Sequence, residues 1–104
     1  MSLADETIPG SASGCTSIGV TTTPIQLVGY NAKRVALIIS APTGGNVSIS
    51  TNPSVEIGEG LQLYANSSPI WMNSQAFGDF CQRALFAVSS AGTLNIGVVE
   101  VSLV

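Results

Sequence analysis

The chain has 104 residues, 45 % of them hydrophobic and only 9 % charged, with a formal net charge of −3 and no histidine. That length supports one domain with a modest core, and a chain so rich in apolar residues and so poor in charge does not have a disordered composition. Its only basic residues, Lys33, Arg34 and Arg83, are too few to neutralise a phosphate backbone, which sets nucleic acid aside as a partner, and no apolar run approaches the roughly 20 residues of a membrane-spanning helix, so no membrane is expected either.

Met1 to Gly14 is mostly polar and is interrupted by Pro9, Gly10 and Gly14. It reads as a flexible N-terminal arm or leader over residues 1–14, without the basic start and apolar stretch of a secretion signal. A single domain is expected over 15–104. From Cys15 onward, short runs of β-branched and aromatic residues alternate with breakers. "CTSIGVTTT" (15–23) ends at Pro24, and "IQLV" (25–28) is followed by the turn-like "GYN". "KRVALIIS" (33–40) is the best candidate for a central strand, and "APTGGN" after it is a loop. "VSIST" (47–51) stops at "NP", and "VEIGEG" (55–60) leads into "LQLYA" (61–65). "NSS" turns the chain into "PIWMN" (69–73), and "SQAFGDF" (74–80) is the least regular piece, with room for a short helical turn. "RALFAVSS" (83–90) is a further strand, "SSAGT" has the chemistry of a hairpin loop, and a strand from Thr93 closes the chain. No stretch sustains apolar spacing of three and four over several turns. The expected fold is therefore all-β: a jelly-roll-like β-sandwich of about seven to eight short strands.

A sandwich strand needs one apolar face, because the other meets water. Three strands here are apolar on both. In 33–40, Val35, Leu37 and Ile39 oppose Ala36 and Ile38. In 84–88, Leu85 and Ala87 oppose Ala84, Phe86 and Val88. In the closing strand, Leu94, Ile96 and Val98 oppose Val99, Val101 and Leu103. Either the chain folds something over the second faces, or a second copy covers them, since an extended exposed apolar patch marks an interface. The interface candidates are Ile38, Phe86, Val99, Val101 and Leu103. Glu100 shares a face with Ile96 and Val98 and needs a cationic partner if it is buried. Arg34, in the other strong strand, is the expected one, as a cross-strand or inter-subunit ion pair that fixes register.

Sites of chemistry are not evident. Without histidine, neither a Ser-His-Asp nor a Cys-His site can be built within one chain. Cys15 and Cys81 have no histidines to complete a zinc set. Their separation carries no disulfide signature, and two buried or half-buried thiols are expected. "TGG" at 43–45 and "GEG" at 58–60 lack the lysine and helix of a phosphate loop. Glu56, Glu59 and Asp79 do not have the spacing of a calcium loop. No catalytic residue, metal or cofactor is expected. Tyr64 and Trp71, with polar neighbours, form a candidate sugar platform, the alternative for Trp71 being the core or an oligomer interface.

The stretches "NAKRVALIIS", "GGNVSIST", "GEGLQLYANSSPIWM" and "LFAVSSAGTLNIGVVEV" resemble small β-sandwich virion proteins of tailed bacteriophages, the head decoration or cement proteins and related fibre modules. The resemblance runs from about Tyr30 to near the C-terminus. It implies a non-enzymatic structural subunit, often a homotrimer, that sits on the capsid, binds the phage major capsid protein or another virion protein and is assembled in the bacterial host cytoplasm. It also implies an N-terminal arm that reaches the shell or a neighbouring subunit. The alternative is a carbohydrate- or receptor-binding module of a fibre or tail protein.

Overall fold

The computed structural model describes residues 10–103; residues 1–9 of the expected arm lie outside the described residues. Eight strands follow in order: β1 (Gly10–Val20), β2 (Ile25–Val28), β3 (Arg34–Ile39), β4 (Val47–Ser50), β5 (Leu61–Leu63), β6 (Ile70–Asn73), β7 (Leu85–Ser89) and β8 (Leu94–Leu103). A one-turn helix, α1 (Ser74–Phe77), and a 3₁₀ turn (Gly78–Gln82) join β6 to β7. Asn73 caps α1, its Oδ1 accepting the Ala76 N–H at 2.7 Å. This cap starts the first of the two short helical turns into which the irregular segment 74–80 folds.

Two four-stranded antiparallel sheets form, in the orders β1-β8-β3-β6 and β2-β7-β4-β5. Among the described strands, only β4 and β5 are consecutive within one sheet; every other connection crosses from one sheet to the other. That is the jelly-roll path. The inward faces follow the alternation of the sequence. Leu37 and Ile39 of β3, Ile96 and Val98 of β8 and Met72 of β6 come from one sheet. Val47 and Ile49 of β4, Leu63 of β5, and Leu85 and Ala87 of β7 come from the other. All are buried in one apolar cluster. As expected, β3 is central, hydrogen-bonded to β8 on one side and β6 on the other.

Two boundaries differ from the sequence reading. Strand β1 begins at Gly10, inside the expected arm, and pairs with β8 from Gly10↔Leu103 to Val20↔Leu94. Glycines such as Gly10 and Gly14 ordinarily break strands. A long ladder opposite a ten-residue strand outweighs their low strand preference. Second, "SSAGT" does not join a hairpin, because β7 and β8 belong to different sheets. The same turn chemistry, with Gly92 at φ +55° and the Ser89 hydroxyl donating to the Gly92 carbonyl at 2.6 Å, carries the chain across the sandwich.

The question of the second faces has a different answer for each sheet. Segment 51–60 folds over the outer face of the β2-β7-β4-β5 sheet. There the Gly58 N–H donates to Ser48 Oγ at 3.0 Å, and Val55 is only 1 % exposed. Val88 is buried as well, although neither valine belongs to the core cluster. The chain thus covers this face itself. Gly60 ends the segment at φ +68° against β4, where a Cβ would collide with the Ile49 carbonyl oxygen. Among the described residues the outer face of the β1-β8-β3-β6 sheet has no such cover: Trp71 is 69 % exposed, and Ile38, Val99 and Val101 are only half-buried.

Candidate assembly face

The backbone register decides which residues share the uncovered face. Val99 of β8 stands opposite Cys15 of β1 on one side and Ile38 of β3 on the other. Ile38 in turn stands opposite Trp71 of the edge strand β6. The positions Cys15, Val99, Ile38 and Trp71 therefore form one row across all four strands. The next row is Ser13, Val101, Ala36 and Asn73. Directly opposed side chains in a sheet lie about 5 Å apart, so Val99, Ile38 and Trp71 make one continuous apolar strip. No charged residue occupies either row.

The five residues expected at an interface do not lie on one surface. Ile38, Val99 and Val101 share this face, and Leu103 continues β8 toward its end, with its backbone opposite Gly10. Phe86 does not join them. It lies on β7 of the other sheet, half-buried and opposite Gln26 and Ser50. Alternation within a strand tells which residues share a face, but not to which sheet that strand belongs. Trp71 takes the place expected of Phe86. It is not in the core, and its neighbour Ile38 was visible in the sequence; the pairing of β3 with β6 was not.

The candidate sugar platform is divided in the same way. Tyr64 follows β5 of one sheet, whereas Trp71 lies on β6 of the other. Both are exposed, at 57 % and 69 %, and they share no row of the register.

Arg34 and Glu100 meet within one chain. Arg34 is 1 % exposed, and its Nη2 lies 2.6 Å from Glu100 Oε1, to which Nε also donates at 3.0 Å. The rest of the guanidinium is taken up by backbone. Nη2 donates to the Gly29 carbonyl at 2.7 Å, and Nη1 donates to the carbonyls of Cys81 at 3.1 Å and Arg83 at 3.2 Å. One buried cation thus joins β8, the β2–β3 loop and the end of the 3₁₀ turn. The fork of donors on arginine suits this multiple role in a way a lysine would not. No buried side-chain nitrogen or oxygen among the described residues lacks a partner. Cys81 sits beside this arginine as a free, buried thiol; the expected burial of the Cys15 thiol falls on a side chain outside the described residues. Burial pushes the Cys81 pKa above the ordinary 9.0, and the nearby Arg34 charge offsets part of that rise.

Among the described residues no three His, Cys, Asp or Glu side chains gather as metal ligands. Glu59 Oε1 accepts the Glu56 N–H at 2.9 Å in the covering segment, while Asp79 pairs with Arg83. What the arrangement can do is adhere: it offers an uncharged, apolar strip on a hydrogen-bonded sheet.

No family model and no curated protein matches this chain. One solved structure is similar in fold: a chain from the work "Bacillus endospore appendages form a novel family of disulfide-linked pili", with 9 % sequence identity and a TM-score of 0.49, over 89 % of this chain and 87 % of that one.

Proposed function

We propose that this chain is a non-enzymatic structural subunit that associates with copies of itself through the outer face of the β1-β8-β3-β6 sheet. The observation that carries the reading is the strip Val99, Ile38 and Trp71, which crosses adjacent strands without a charge and without cover among the described residues. Tryptophan is enriched at the centres of interfaces, where charged residues are depleted. The contrast with the other sheet supports the reading. There the chain uses segment 51–60 to remove its second apolar face from water. Burial of apolar area drives association at roughly 25 cal/mol per Å², less the cost of immobilising the partners.

The resemblance to phage decoration and fibre proteins supplies the finer proposal: a homotrimer on a virion, docked on the major capsid protein and assembled in the host cytoplasm. The test is a pair of variants examined by light scattering. Ile38→Asp places a charge in the strip and lowers the assembled mass, whereas Phe86→Asp, on the other sheet, leaves it unchanged. If the two variants behaved alike, the assignment to this face would be wrong.

A further inference from the structure

The end of the sandwich around Arg34 holds a second arrangement that self-association does not use. Two loops meet there, residues 29–33 between β2 and β3, and residues 79–84 leading into β7. Between them lies an open groove of about 450 Å³, lined by Tyr30, Thr51, Asp79, Gln82, Arg83 and Ala84. Tyr30 is 70 % exposed, although it is one of only two tyrosines in the chain. Asp79 and Arg83 form an ion pair along the turn, Arg83 Nη2 and Nε donating to Asp79 Oδ2 at 3.0 and 3.3 Å. Asp79 Oδ1 and Arg83 Nη1 form no hydrogen bond among the described residues, so both remain available to a ligand.

These loops are held rigidly against each other. The Asn31 N–H donates to the Gln82 carbonyl at 2.8 Å, and Gln82 Nε2 donates to the Ala32 carbonyl at 3.1 Å. Asn31 Oδ1 closes its own loop by accepting the Lys33 N–H at 2.9 Å. Beneath them, Arg34 holds the carbonyls of Gly29, Cys81 and Arg83 at once. The buried cation thus fixes both walls of the groove from below. A site whose polar groups are positioned before binding loses little ordering entropy on binding.

We propose that this groove binds a neutral sugar. The chemistry of the lining fits that class. An exposed aromatic ring offers its apolar face, with its negative quadrupole, to the C–H face of a pyranose. The side-by-side acceptor and donor of Asp79 and Arg83 match adjacent hydroxyls, each of which donates and accepts. The pair carries no net charge, and the other lining residues are uncharged, so an acidic sugar gains nothing over a neutral one. The site is distinct from the Tyr64 and Trp71 platform and lies off the apolar strip, so it is compatible with an assembled subunit.

The test is a titration of the isotope-labelled full chain, followed by amide NMR. The probes are the methyl glycosides of glucose, galactose, mannose and N-acetylglucosamine, with sialyllactose as the acidic comparison. The expected result is that at least one neutral sugar shifts the amides of 29–33 and 79–84, with a dissociation constant of roughly millimolar order, typical of an open groove with one stacking ring. Tyr30→Ala weakens that binding about tenfold, and Asp79→Asn weakens it while leaving the rest of the spectrum in place. Both residues are exposed, so both variants keep the fold. The proposal is overturned if none of the neutral sugars shifts these amides at about 50 mM, well above the expected constant. It is equally overturned by shifts centred on Tyr64 and Trp71, by a preference for sialyllactose, or by wild-type affinity in Tyr30→Ala.

Discussion

Replacing Arg34 by methionine keeps a long side chain in the same space and removes the charge and every donor. Four acceptors then lose their partner: Glu100 Oε1 and the carbonyls of Gly29, Cys81 and Arg83. They do not lose equally. Gly29 and Arg83 are exposed residues, so water can replace the guanidinium at their carbonyls. Cys81 is wholly buried, so its carbonyl is orphaned, at a cost of about 1–3 kcal/mol. The Glu100 side chain is 33 % exposed, so its loss lies below the limit for a buried pair and adds about 1–2 kcal/mol. Together these predict a destabilisation of about 2–5 kcal/mol, a large part of the roughly 5–15 kcal/mol that holds a domain of this size. The assay is urea unfolding followed by far-ultraviolet circular dichroism at one fixed protein concentration, because association stabilises the native state by mass action. The control is Arg83→Met, which breaks an exposed i,i+4 pair and changes stability by no more than about 0.5 kcal/mol. An Arg34→Met protein within about 1 kcal/mol of wild type would mean that Arg34 does not hold these acceptors, because an orphaned buried carbonyl alone costs at least about that much.

Gly60→Ala puts a methyl group into the Ile49 carbonyl at a left-handed φ, so the covering segment must shift; the expected loss is about 2–4 kcal/mol in the same unfolding assay. In a Cys15→Ser background, native Cys81, buried and with its pKa raised, reacts with iodoacetamide at pH 8 far more slowly than the urea-unfolded chain does; equal rates would place the thiol at the surface. The same shift has a sign in stability. Above the unfolded thiol's pKa the unfolded chain releases this proton before the folded chain does, so stability falls as pH rises through and beyond about 9. A Cys81→Ser protein lacks that share of the alkaline loss, read as unfolding free energy between pH 8 and pH 10.

Much of the fold was legible because sandwich strands reveal themselves locally. "KRVALIIS" and "VSIST" carry the alternation that a strand with a buried face requires, while Pro24 and "NP" mark where strands stop. The partner for Glu100 was legible for the same reason: a chain with three cations offers few choices for a carboxylate on a valine-rich strand. Sheet membership was not legible. Phe86 and Ile38 have the same local signature, yet one lies on the sheet that segment 51–60 covers and the other on the sheet that no described segment covers. The cover depends on the burial of Val55 and on the close approach of Gly60 to β4. Nothing local in "VEIGEG" distinguishes a cover from a connection. The groove at Tyr30 escaped a reading of the sequence because its walls come from positions some fifty residues apart, as Gln82 and Ala32 are. "GYN" signals only a turn, and "GDFCQR" only a short helix.

If the outer face of the β1-β8-β3-β6 sheet joins copies of the chain, the mass of the wild-type chain in solution reports it. Multi-angle light scattering on a sizing column should return a closed oligomer, with the trimer at about 32 kDa, three times the 10.6 kDa of one chain. A single species at 10.6 kDa, unchanged up to roughly millimolar protein, where even a weak contact worth about 4 kcal/mol would be half-formed, would contradict it.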